Sequence, residues 1–415
     1  MATIKIKYLP FADDSAKGRI CYEVRHEMTS HLIHTCFVLN SSEWDPLISA
    51  VGTSADTDRA AELSEIRRLV YCAERRLMRI IAGLDRSGIR YDASLVAAEY
   101  CRHCEMFSLP NYMNSHIARL RSVGRIRTSE TYKAALSSFM KFMESEASAL
   151  AISPCLLAPG LMIDSLTPDM FENYEAWHRR RGSVPNTISF YMRILRAVYN
   201  RAVDEGITED IHPFRHVYTG IDKTLKRAIP LNSLREIIRL DLSRLPSLEY
   251  ARDMFLMSFY LRGMSFIDMA FLKKADLNDG HLCYRRRKTG QLMTIRWTAE
   301  MQQIIDKYPV LDTPYLLPIL PSHCADEMCS YRSRSGTINR NLKKVARLAG
   351  INIILTLYTA RHSWATAARS SGIPLSVISQ GMGHDSELTT RIYLASLETS
   401  VVDNANSRII SALVE

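Results

Sequence analysis

Residues 357–395 read LYTARHSWATAARSSGIPLSVISQGMGHDSELTTRIYLA, and three side chains in this stretch organise the rest of the chain. Arg361 offers a planar fork of donors suited to a phosphate. His384 closes a Gly-x-Gly-His turn and can donate to a phosphate oxygen or shuttle a proton. Tyr393, nine residues further on, carries a phenol able to attack phosphorus and hold it covalently. Taken singly, His384 reads as a turn residue and Tyr393 as half-buried packing. Their combination, with Gly383 and Thr390 between and beside them, points to phosphoryl chemistry.

Working outward, the 415 residues are too many for one core and imply two or three domains. An apolar content of 47% with few glycines and prolines suits a folded, mostly helical protein. No apolar run approaches the roughly 18 residues that a membrane span needs, and the N-terminus lacks the long apolar stretch of a signal peptide. A cytoplasmic protein is the expectation. A net charge of +9 and a pI near 9.0 favour a polyanionic partner. The nine cysteines form no regular framework, so reduced thiols are expected. Cys101 and Cys104 flank His103, but no second ligand pair follows at zinc spacing. The sequence therefore argues for no metal site.

In chain order, residues 1 to about 50 read as strands: Ile4 and Ile6 alternate with lysines, and Ile20–Val24 and Leu32–Val38 follow. Trp44 closes this small sheet. A long charged helix spans Asp56 to about Leu84, with Leu63, Ile66, Val70, Leu77 and Ile80 as its stripe, and a shorter one spans about Ser94 to Cys104. Leu109–Asn114 breaks the pattern and marks a boundary. From Ser115 to about Ile211 all is helix, with Thr128 or Ser129 expected to cap one element and Asn186 another. Arginines crowd the surfaces and loops of this part, from Arg119 to Arg127 and from Arg179 to Arg201. A basic linker with Lys223, Lys226 and Arg227 leads to a last domain. There, Tyr284-Arg-Arg-Arg-Lys-Thr-Gly290 joins two apolar strands, which places Lys288 at a hairpin tip.

Arginine, histidine and tyrosine in this order resemble the C-terminal signature of the tyrosine recombinases, the phage-integrase family, whose pattern runs His-x-x-Arg, Leu-Gly-His, then Tyr at the same nine-residue interval. The resemblance covers about 110–400. It implies an α+β protein, mainly α with small β elements. The expected parts are an arm-type DNA-binding module with linking helices (1–104), a SAM-like core-binding domain (110–216), a linker (217–229), a catalytic domain (230–400) and a tail helix (401–415). The opening sheet resembles the arm-type module of integrases from conjugative and mobilisable elements.

The resemblance also implies roles. Tyr393 is the nucleophile and forms a 3′-phosphotyrosyl bond, Arg361 grips the scissile phosphate and His384 stabilises it. Lys288 enters the minor groove and protonates the leaving oxygen. Tyr358 stands where the family has histidine; it can still donate a hydrogen bond but is a poor base near neutral pH. No metal or nucleotide cofactor is implied. The first family arginine is displaced: anchoring on Asp268-Met-Ala-Phe-Leu272 leaves Ser265 in its place. Arg262 lies one turn earlier, about 4.5 Å along a helix axis, with Arg252 as a second substitute and an empty position as the third outcome. The expected partners are double-stranded DNA at core and arm-type sites, three further copies of the chain in a tetramer on DNA, and host DNA-bending or excision factors. A chromosomal invertase of the same chemistry and an accessory protein with lapsed catalysis are the rival readings.

Overall fold

The computed structural model describes residues 2–149, 161–222, 228–322 and 326–384, with 386, 387, 390, 391 and 410 beyond them. The chain divides into two compact units, Met1–Asp222 and Lys223–Glu415. Lys223, Lys226 and Arg227 of the expected linker, Tyr393, and the expected tail helix apart from Ile410 lie outside the described residues.

The first unit opens with an antiparallel sheet of β1 (Thr3–Pro10), β2 (Lys17–His26) and β3 (Thr29–Asn40) in that order. Alternation puts Ile20, Tyr22 and Val24 of β2 on one buried face. A two-stranded ladder, β4 (Trp44–Asp45) with β5 (Ala50–Val51), follows, and Trp44 stacks on Tyr8 at 6.1 Å. Helices α1 (Thr57–Ser87) and α2 (Ala93–Phe107) cover the sheet. Asp56 caps α1 by accepting from the Asp58 amide, and Gly88 ends it at φ +68°. The buried stripe of α1 is Leu63, Ile66, Val70, Leu77 and Ile81, so Ile81 rather than Ile80 takes the last inward position.

The helices α3 (Leu109–Ser122), α4 (Ile126–Ala149), α5 (Pro168–Arg180) and α6 (Pro185–Asp204) pack around a separate aromatic core of Phe139, Phe142, Phe171, Tyr174 and Tyr199. Three local expectations are corrected here. Leu109–Asn114 is no break: Ser108 caps α3 and Pro110 sits in its first turn, where a missing amide costs nothing. Helix α4 starts ahead of Thr128 and Ser129, and the Ser129 hydroxyl bonds back to the Ile126 carbonyl (2.7 Å). Asn186 lies inside α6, and its amide pairs with both backbone groups of Asp222 (2.9 and 2.8 Å).

The two cores of this unit are joined by charge. Arg76, buried in α1, donates to both oxygens of Asp164 (3.1 and 2.6 Å), and Arg79 adds a third contact (3.0 Å). Asp164→Ala leaves the Arg76 guanidinium buried without its counter-charge, which costs about 3–5 kcal/mol. Chemical denaturation of the variant should show that loss; a loss below about 1 kcal/mol, the surface ion-pair scale, contradicts it.

The second unit is built on α8 (Pro246–Tyr260), preceded by α7 (Leu231–Arg239). Met254, Phe255, Leu256 and Met257 are all buried in α8, because other elements pack on every side of it. After α9 (Phe266–Ala270) comes an antiparallel sheet of β6 (Leu277–Asn278), β7 (His281–Arg285) and β8 (Leu292–Arg296). Helices α10 (Ala299–Asp306), α11 (Glu327–Leu348), α12 (Leu357–Ser370) and α13 (Leu375–Met382) complete it. The architecture is α+β, mainly helical with small antiparallel sheets. Among the described residues no helix is long and apolar enough to cross a membrane.

Candidate active site

Arg361 is the centre of the site. Thr356 and Thr359 open α12, the Thr356 amide donating to the Thr359 hydroxyl (3.1 Å), and Arg361 follows within the next turn, 5% exposed. Its Nη1 donates to the Gly263 carbonyl (2.8 Å), and its Nη2 to the Met382 carbonyl (2.7 Å) and to His384 Nε2 (3.0 Å). Gly263 must be glycine: its φ is +71°, and a Cβ there would lie 2.7 Å from Arg361 Cα. Two segments, the Gly263 turn and the Met382–His384 turn, are thus tied to one guanidinium.

His384 is delivered by the end of α13. Gly383 takes the left-handed conformation (φ +64°), its amide reaches Gln380 O (3.0 Å), and the His384 amide reaches Ser379 O (3.0 Å). The imidazole lies between Arg361 and Thr390, with Nδ1 2.7 Å from the Thr390 hydroxyl. Since Arg361 can only donate, Nε2 accepts, the ring proton sits on Nδ1, and Thr390 receives it. Burial, reinforced by the charges of Arg361, Arg286 and Lys288, lowers His384 to about 4. The ring is therefore neutral near pH 7 until an anion arrives.

Lys288 lies in the exposed turn between β7 and β8, which Arg286 and Gln291 close with a backbone bond of 2.9 Å and Gly290 completes at φ +72°. Its charge is among those felt by His384. Arg262 is half-buried at the end of α8 in the left-handed region (φ +57°), an unusual conformation for a side chain with a Cβ. Burial raises the Tyr284 phenol, Asp268 raises it further, and the charges of Arg286, Arg361 and Arg262 oppose them.

Arg252, the second substitute for the first arginine, is elsewhere. It is buried in α8 and donates to the Leu240 carbonyl (2.7 Å), Glu249 (3.0 Å) and Asp253 (3.1 Å). Ser265, where the resemblance leads one to expect an arginine, caps α9, and its hydroxyl donates to Asp268 (2.6 Å). Tyr358 sits in the first turn of α12, 59% exposed, with its ring edge-on to His362 at 4.6 Å. His103 packs on Phe107 and Cys104 lies 3.7 Å from Arg76, and among the described residues no three His, Cys, Asp or Glu side chains converge.

Two residues of this site escape a reading of the sequence alone. Arg286 is buried, and its Nη1 donates to the Gly383 carbonyl. Asp268 accepts from the Arg287 amide (2.9 Å) as well as from Ser265. A signal for Arg286 was present: Leu282, Tyr284 and Arg286 keep the strand's period of two on the buried face. The surrounding run of arginines masks it as a solvated charge cluster.

Residues 108–217 match the family model for the phage integrase SAM-like domain, and residues 249–399 that for the phage integrase family. Tyrosine recombinase XerA of Pyrococcus furiosus is 27% identical over 220 residues, spanning 52% of this chain and 71% of its own. Tyrosine recombinase XerC of Chlamydia caviae is 25% identical over 282 residues, 64% of this chain and 87% of its own. A lambda integrase dimer bound to a COC′ core site has a similar fold, with a TM-score of 0.54, 15% identity and 93% of each chain covered. So does a lambda integrase tetramer bound to a Holliday junction, with a TM-score of 0.53, 14% identity, and 92% of this chain and 96% of that one covered. Two matched domains in the family's order, over more than half of the residues, are joined by relatives that span most of their own length. This chain belongs to the tyrosine recombinase (phage integrase) family and is a site-specific recombinase that cleaves and rejoins DNA.

Proposed function

We propose that Arg361, Arg262, His384 and Lys288 surround the scissile phosphate of a DNA core site and that Tyr393 attacks it. The tyrosine oxygen forms a bond to phosphorus as the phosphorus–O5′ bond breaks. The phenol proton passes to solvent, and the departing O5′ takes a proton from the Lys288 ammonium. The resulting 3′-phosphotyrosyl bond keeps the phosphodiester energy, so rejoining needs no nucleotide. Arg361 and Arg262 offset the extra charge on the pentavalent phosphorus. His384, neutral while its Nε2 accepts from Arg361, gains a proton on Nε2 when the anion enters and then donates to a phosphate oxygen. Tyr358, exposed at the start of α12, adds a hydrogen bond where the family uses histidine.

The convergence of Arg361, His384 and Arg286 on one turn carries this reading. It supports a working site over the rival of lapsed catalysis, since the buried guanidinium groups of Arg361 and Arg286 carry a desolvation cost that a site without function has no reason to keep. The reaction takes place in a tetramer of this chain, two duplexes exchanging strands in turn, with the sheet of β1 to β3 engaging a second, arm-type class of site. Host DNA-bending or excision factors would act on the DNA between the two classes. The test is a nicked core-site duplex taken from the junction sequence of the source element, on which cleavage traps the enzyme. A protein–DNA adduct that survives denaturant is expected, and its absence across the element's candidate junctions would overturn the reading.

The same substrate separates the arginines. Arg262→Ala should lower cleavage about 10²–10³-fold, the scale of one lost transition-state donor, with the melting temperature little changed. Arg252→Ala should act through the fold, because Asp253 loses a buried partner, and should lower the melting temperature first. A dead but fully stable Arg252→Ala beside an active Arg262→Ala would exchange the two roles.

A further inference from the structure

Gly383 packs closely against the β7–β8 hairpin. A Cβ at this position would touch Met293 Sδ at 3.0 Å, Arg286 Cδ at 3.1 Å and Gln291 Oε1 at 3.3 Å, and all three neighbours belong to the β7–β8 hairpin. The backbone adds a second requirement for glycine, φ +64°. Into this socket Arg286 places its guanidinium, which donates to the Gly383 carbonyl one peptide ahead of His384. That carbonyl belongs to the end of α13, whose last acceptors lack helical donors; the Met382 carbonyl takes Arg361 and the Gly383 carbonyl takes Arg286. From the other side Asp268 accepts the Arg287 amide (2.9 Å). The turn that carries Lys288 is therefore clamped at Arg286 and Arg287, while Lys288 itself is exposed.

We propose that Arg286 is a positioning residue: it latches the Lys288 hairpin to the Gly383–His384 turn, so that the leaving-group proton donor and the phosphate ligands are held as one assembly. An exposed lysine on a four-residue turn samples many rotamers and backbone states, and general-acid transfer needs it within hydrogen-bond reach of one oxygen. Arg286 supplies that order through the backbone it shares with the turn. The inference rests on the catalytic roles proposed above for Lys288 and Tyr393.

The experiment is single-turnover cleavage of two nicked core-site duplexes, one natural and one with sulfur as the bridging 5′ atom. A thiolate leaves without a proton, so only defects in proton donation vanish with sulfur. Arg286→Met keeps the apolar stem and removes the donor. Its cleavage of the oxygen substrate should fall about 10²-fold, the low end for a lost general acid, and return to within about threefold of wild type on sulfur, in parallel with Lys288→Ala. Arg286→Lys should recover part of the loss on oxygen. Gly383→Ala, which disturbs both the socket and the turn that delivers His384, should be rescued by sulfur only in part. Equal losses on both substrates, no loss on either, or failure to bind a core half-site by both Arg286→Met and Gly383→Ala would overturn the latch. A wild type that cleaves neither duplex would instead overturn the catalytic roles, and the latch with them.

Discussion

Tyr393→Phe should form no denaturant-resistant adduct with a nicked core site, a loss of at least about 10⁴-fold, as expected when a nucleophile that works with its neighbours is removed. Only the hydroxyl is lost, so folding and core-site binding should stay within about threefold of wild type, on the scale of one lost hydrogen bond. The comparison is read on a denaturing gel beside a mobility-shift titration of the same samples. Adduct formation by the phenylalanine variant would assign the nucleophile to another residue. Loss of adduct together with loss of binding would mean that the phenol serves the fold or the DNA contact rather than attack.

Arg361→Ala should be as severe and should differ in kind, because the proposed phosphate ligand is also a strut of the fold. An arginine that stabilises the charge of a phosphoryl-transfer transition state is worth about 10³–10⁵-fold in rate in nucleoside triphosphatases, and a loss on that scale is expected here. The same change strands the Gly263 and Met382 carbonyls, now held at 2.8 and 2.7 Å, and a buried unpaired acceptor costs about 1–3 kcal/mol. Cleavage and melting temperature should therefore fall together, whereas Tyr393→Phe lowers only the first. Arg361→Lys keeps the charge but cannot span both carbonyls with one ammonium, so its cleavage should still fall about 10²-fold. His384 gives an independent readout. Burial and then the Arg361 charge hold it near 4, so its titration, followed by NMR, should move upward in Arg361→Ala. Unchanged His384 titration in a folded Arg361→Ala would break the link between the two side chains.

Much of the site is legible in the linear order of residues. The spacing of Tyr358, Arg361, His384 and Tyr393 identifies the chemistry, and the Lys-Thr-Gly turn between alternating strands puts Lys288 at a hairpin tip, where the structure also has it. Helix existence follows from apolar periodicity and caps, as with Asp56 and Gly88 around α1. Edges are less legible, because one residue can serve two roles. Asn186 looks like a cap and instead holds Asp222, and Leu109–Asn114 looks like a break although Pro110 suits a first turn.

What only the tertiary structure decides is which buried polar groups meet. Arg252 and Arg262 are ten residues apart, and the sequence favours Arg262 without excluding Arg252. One is consumed by Glu249, Asp253 and the Leu240 carbonyl; the other is half-buried next to Gly263, whose carbonyl holds Arg361, and its charge acts on the same tyrosine as those of Arg361 and Arg286. Arg286 meets Gly383 across 97 residues, and Arg76 meets Asp164 across 88. Periodicity reports which face of an element is turned inward, since hydrophobic burial is roughly proportional to area and indifferent to partner. A hydrogen bond or ion pair is directional and must be satisfied by one particular group once water is excluded. The sequence alone thus determined the family, the element types and the nucleophile's candidate, while the three-dimensional packing decided which arginines converge around Gly383 and which are held by the carboxylates of the fold.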